Sequence, residues 1–95
     1  MKSIFSAFNL QNNNGQTLTA QNARLDIIGE LEAIIQYQAH YDATDDPVAK
    51  KTIYDIMEEE KMHVGQLFGL LFKLDPSSQT QFEKGYKEFT TEDDK

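Results

Sequence analysis

Ile53-Tyr54-Asp55-Ile56-Met57-Glu58-Glu59-Glu60-Lys61-Met62-His63-Val64 reads as a helix whose apolar stripe carries ionisable groups. On a wheel at 100° per residue, Ile53, Ile56, Met57, Val64, Leu67 and Leu71 fall within about 60° of one direction. Glu60 lies near the middle of that arc and His63 just past its edge. An ionised carboxylate in an apolar seam is costly unless a cation or a strong partner stands beside it. Side chains at i and i+3 point the same way, so one metal ion can reach both. In helical bundles that hold two metal ions, a Glu-x-x-His pair on one helix works with a Glu on a facing helix.

The residues before this stretch supply a candidate for that Glu. A helix capped by Thr17 or Thr19 runs to about Ala43. Its stripe is Ile27, Leu31, Ile34 and Tyr41, flanked by Ile28 and Ile35 on one side and by Glu30 and Tyr37 on the other. Thr44-Asp45-Asp46-Pro47 breaks the pattern, with Asp46 at the N-cap and Pro47 at the first position of a second helix reaching about Lys73. Two long amphipathic helices joined by so short a turn fold back as an antiparallel hairpin. With the turn centred on Asp45, Glu30 and Glu60 are equidistant from it, roughly 22 Å along their helices at 1.5 Å per residue. Asp75-Pro76 repeats the stop-and-cap pattern and opens a short third helix with Phe82, Tyr86 and Phe89 on one face. The expected organisation is all-α: an N-terminal arm over 1–16, a helical domain over 17–89 and a polar tail over 90–95. The arm is read as flexible, with Asn12-Asn13-Asn14-Gly15 as a turn-forming cluster.

Composition narrows the function classes. The 95 residues suit one small domain with a limited core, which favours self-association. The absence of cysteine excludes disulfides, thiolate metal sites and cysteine nucleophiles and is compatible with the cytoplasm. Sixteen Asp and Glu against nine Lys and Arg give a net charge of −7, which argues against nucleic acid and suits a protein that attracts cations. No apolar run approaches the roughly 18 residues of a membrane span, and Met1–Phe5 lacks a secretory apolar region.

One hairpin provides Glu30, Glu60 and His63, whereas a two-metal site needs that set twice. The only other histidine, His40, has Tyr37 three residues before it rather than an acid. Two hairpins related by a twofold axis supply four carboxylates and two imidazoles and close a four-helix bundle. Carboxylate oxygens with imidazole suit iron, manganese or zinc. With two irons the implied chemistry is oxidation of Fe(II) by oxygen; Tyr37, two turns from Glu30, is placed to hydrogen-bond a ligating carboxylate or to pack as a core aromatic. The alternative is a non-catalytic helical oligomerisation module that binds structural zinc, calcium or no metal. A peroxide reductase with a rubredoxin partner domain is disfavoured by the missing cysteines.

Glu30-Leu31-Glu32-Ala33, Tyr37, Thr44-Asp45-Asp46-Pro47 and Glu59-Glu60-Lys61-x-His63 together resemble the encapsulated ferritin family over roughly residues 24–75. That resemblance implies a ferritin-like four-helix bundle completed by dimerisation, a di-iron ferroxidase centre between two subunits, and an annular oligomer of such dimers. It further implies iron storage inside an encapsulin nanocompartment in the cytoplasm, with the shell protein as partner. Glu30, Glu60 and His63 match the family's ferroxidase ligands, Tyr37 its nearby tyrosine, and Glu32 one acid of its metal-uptake site. Gly29 stands where the pattern has a second acid, Gln36 stands where an aromatic is expected, and the acidic tail does not resemble an encapsulin-targeting peptide. Glu58 and Glu59 read as a solvated face paired with Lys61, and His40 as a surface histidine.

Overall fold

A computed structural model describes residues 19–91. The expected arm over 1–16, the alternative cap Thr17 and the last four residues of the tail lie outside the described residues. Three helices follow one another, α1 (Ala20–Ala43), α2 (Pro47–Leu74) and α3 (Pro76–Thr90), with no strand among the described residues. The second helix extends one residue past Lys73. The third takes in Thr90, so the polar tail begins one residue later than expected.

Local chemistry fixes the helix starts. Thr19 is extended and its hydroxyl accepts from the Asn22 amide at 3.2 Å, while Asn22 Oδ1 accepts from the Thr19 amide at 2.9 Å. This reciprocal pair satisfies amides that no helical carbonyl can reach. Asp46 does the same for α2, its carboxylate accepting from the Ala49 amide at 2.9 Å with Pro47 in the first turn. Across the turn, Lys50 Nζ donates to the Tyr41 carbonyl at 2.7 Å and sits 4.0 Å from the centroid of the Tyr41 ring. One ammonium thus satisfies an α1 C-terminal carbonyl and gains a cation–π contact.

Asp75 departs from the sequence reading. Its carboxylate caps no amide of α3. Instead it accepts from Ser77 Oγ at 2.9 Å, Ser78 Oγ at 2.7 Å and Arg24 Nη2 at 2.6 Å. Arg24 Nη2 also donates to Ser78 Oγ at 3.0 Å. A guanidinium makes a stronger, charge-assisted partner than a backbone amide, and it reaches Asp75 from α1. The result is a tie between the start of α1 and the start of α3.

The molecule measures 47 × 44 × 20 Å, so its thin dimension is about two helix diameters. The hairpin forms a single layer, and α3 rests on the open end of α2. The core lies at that open end: Ala23, Ile27 and Leu71 are buried, with Leu67, Phe68, Leu70 and Phe72 packed against them. Phe82 brings α3 to this cluster, its ring centroid 5.3 Å from those of both Phe68 and Phe72. Met57 is buried farther along α2.

The α1 stripe is covered off-centre. Ile27 is buried and Ile34 and Tyr41 are half-buried as expected, but Leu31 is 44% exposed and Ile35 70% exposed. α2 lies against the Glu30 and Tyr37 side of the stripe, because one helix covers only part of so wide an apolar face. Isolated exposed apolar residues are ordinary on a folded surface.

Candidate metal centre

Glu30 projects from the middle of α1 and Glu60 from the facing turn of α2, and their carboxylates face each other with ligand atoms within 4.8 Å. The register expected from the turn is therefore realised. His63, one turn after Glu60, points its Nδ1 at both acids, 3.3 Å from Glu60 Oε1 and 3.7 Å from Glu30 Oε1. One ligand atom from each residue lies within 4.8 Å of the other two. The Glu60 and Glu30 side chains are only 18% and 26% exposed, and His63 is 40% exposed.

The electrostatics of the trio disfavour two ionised acids side by side. The hydrogen bond with Glu60 is the main reason the Glu30 carboxyl stays protonated above the usual range. Burial and the Glu60 charge add to it, Asp26 contributes slightly, and His63 pulls the other way. Two acids and an imidazole facing one another are stabilised when a divalent ion binds between them. Ligands of one such ion, each about 2.0–2.2 Å from it, lie at most about 4.2 Å apart. Three donors leave coordination positions unfilled at a four- to six-coordinate metal.

An open cleft of about 410 Å³ overlies the pair, lined by Asp26, Gly29, Glu30, Ala33, Glu60 and Leu67. Asp26 is the residue that the sequence reading missed. Its signal is the Asp26-x-x-x-Glu30 spacing, which stacks two acids one turn apart on one helix face. Tyr37 is half-buried two turns along α1, outside the cleft lining. Glu32 is half-buried roughly 200° around α1 from Glu30, so it does not join the cluster. Glu58 pairs with Lys61 at 2.6 Å on the solvated face, and His40 is exposed, both as expected.

A helical hairpin with Glu on one arm and Glu-x-x-His at the same height on the other is a ferritin-like fold. No family model matches the chain. It is 40% identical over 65 residues to the ferritin-like–encapsulin shell fusion protein of Pyrococcus furiosus, a match covering 68% of this chain and 19% of that protein. It is 36% identical over 73 residues to the encapsulin nanocompartment cargo protein EncC of Myxococcus xanthus, covering 77% of this chain and 56% of that one. The chain thus spans about half or less of the length of these curated relatives. The crystal structure of the encapsulated ferritin domain from Pyrococcus furiosus matches with a TM-score of 0.71 at 34% identity, over 82% of this chain and 84% of that chain. The chain belongs to the encapsulated ferritin family.

Proposed function

We propose that this protein oxidises Fe(II) at a two-iron centre formed between two copies of the chain, in the service of iron storage or detoxification. The observation that carries the reading is the convergence of Glu30, Glu60 and His63 within 4.8 Å across the two arms of the hairpin. Such a donor set suits iron, and its unfilled coordination positions call for more ligands than one protomer supplies. A second protomer related by a twofold axis contributes the same three residues.

Iron is the substrate here. Two ferrous ions give one electron each to dioxygen, which takes up two protons and leaves as hydrogen peroxide. The chain's own part is to hold the ions side by side. His63 anchors each iron, and the Glu30 and Glu60 carboxylates neutralise the charge that grows on oxidation. Tyr37 and Glu32 enter the proposal as outer residues, Tyr37 along the Glu30 side of α1 and Glu32 as an approach carboxylate on another face.

The relatives' names bear on partners. One is fused to an encapsulin shell and one is an encapsulin cargo protein. This chain is accordingly proposed as cargo of such a shell in the cytoplasm, arranged as an annular assembly of dimers. No described helix is long and apolar enough to cross a membrane.

Oxygen uptake on addition of Fe(II), followed together with ferric absorbance, tests the activity. The wild-type chain is expected to consume oxygen in fixed proportion to iron, and Glu60→Ala and His63→Ala to fall to the protein-free rate. Undiminished oxidation by both variants contradicts the ligand assignment. Metal binding without oxidation reduces the protein to a metal-binding assembly module.

A further inference from the structure

We infer that residues 4–10 of this chain, independently of the metal centre, fold back over the aromatic face of α3. That helix presents more apolar surface than the hairpin covers. Phe82 packs against Phe68 and Phe72 and is still 48% exposed, and Tyr86, one turn farther, is 64% exposed. Together with Glu83 and Lys87 they line a groove of about 430 Å³ along the helix. Gly85, in the same stretch, costs roughly 1 kcal/mol relative to alanine, and nothing lies within 4 Å of where its Cβ would stand. A helix of 15 residues owes most of its stability to packing, so the second half of α3 calls for a cover.

The occupant follows from where the chain enters the fold. Ala20, the first residue of α1, packs on the buried cluster of Ala23, Ile27 and Leu71, whose neighbours Phe68 and Phe72 hold Phe82. Arg24, just inside α1, donates to Ser78 near the start of α3. The residues before Thr19 therefore join the hairpin beside the near end of the groove. From Leu10 to Thr19 the chain reaches up to roughly 30 Å when extended, against roughly 16 Å along α3 from Ser78 to Phe89.

The chemistry of that segment suits the groove. Ile4, Phe5, Phe8 and Leu10 supply apolar side chains, the first three at the spacing of one helix face. Residues 1–18 contain Lys2 and no acid in a chain of net charge −7, so they meet Glu83 on the groove rim without like-charge repulsion. A tethered segment acts at a millimolar effective concentration, which a second copy or a separate partner at micromolar concentration does not match.

The chain has no cysteine, so an introduced disulfide reports the contact. In the full chain under a mild oxidant, Ala7→Cys with Glu83→Cys is expected to close within one chain. It should do so at least about fivefold faster than Ala7→Cys with Gln81→Cys, a position about 160° around α3 from Glu83. Adding Phe5→Asp and Phe8→Asp to the first pair is expected to abolish that preference. In the cysteine-free chain the same two substitutions are expected to speed amide exchange of residues 82–89 roughly three- to tenfold, the scale of one aromatic pair. Equal closure at the two α3 positions, or closure and exchange that ignore Phe5→Asp and Phe8→Asp, overturns the inference. Links between chains when the two single-cysteine variants are mixed give the groove to another copy and overturn it as well.

Discussion

The carboxylates of Glu30 and Glu60, one from each arm of the hairpin, face each other near the middle of the helices with ligand atoms within 4.8 Å, and His63 Nδ1 lies beside both. Two carboxylates so close cannot both ionise cheaply. The Glu30 carboxyl is accordingly raised above its ordinary value of 4.5. The folded chain then binds more protons than the unfolded chain, so this pair favours folding below that value and does so less as pH rises through the folded one.

Replacing the acid by its neutral isostere removes that strain. Two carboxylate charges about 4 Å apart repel by about 1 kcal/mol even at the dielectric of water, and for a domain of this size that corresponds to a shift of roughly 4–8 °C. Glu30→Gln is therefore expected to raise the melting temperature of the metal-free protein by a few degrees at neutral pH. The same variant is expected to lose the stabilisation that added divalent metal gives the wild type. Thermal denaturation by circular dichroism, with and without metal, measures both. A variant less stable than the metal-free wild type contradicts the reading of the pair.

The tie between α1 and α3 titrates in the opposite sense. Ser78, Ser77 and Arg24 hold the Asp75 carboxyl down to about 2, from an ordinary 3.8. A depressed carboxyl contributes stability that is present above its unfolded value and is lost as pH falls through the folded one. Docking of α3 is expected to be intact above about pH 4 and to loosen between there and about pH 2. Amide exchange of residues 79–89 at pH 5 and pH 3 follows it. Asp75→Asn should bring the fast-exchanging state up to pH 5, and equal protection in variant and wild type at both pH values contradicts this account.

Association should respond to the uncovered side of α1. Leu31 and Ile35, on the part of the α1 stripe that α2 leaves uncovered, are 44% and 70% exposed. Ile35→Asp is expected to shift the protein toward monomer in sedimentation velocity while leaving helix content unchanged. Metal at about 100 times its dissociation constant should strengthen the assembled form by about 2.7 kcal/mol if it binds that form alone. A wild-type monomer indifferent to Fe(II) contradicts the intersubunit centre.

Much of this arrangement is legible in the sequence because its signals are local. Thr19, Asp46 and Pro47 mark the helix starts by capping chemistry, and the period of Ile53, Ile56, Met57, Val64, Leu67 and Leu71 marks the inward face. A short turn then forces Glu30 and Glu60 to one height. The parts that stay hidden depend on how helices sit against one another. Asp75 reads as a cap until Arg24 arrives from a residue 51 positions away. Leu31 reads as core until the pair's contact line is found to run along the Glu30 side instead. Asp26 is inconspicuous among sixteen acids until the cleft sets it beside Glu30.

Anomalous diffraction at the iron edge from crystals grown with Fe(II) tests the intersubunit centre most directly. The expected map has two peaks at a twofold interface, within bonding distance of Glu30, Glu60 and His63 side chains. Iron bound elsewhere, or a single peak served by one chain with Glu30 turned to solvent, contradicts it.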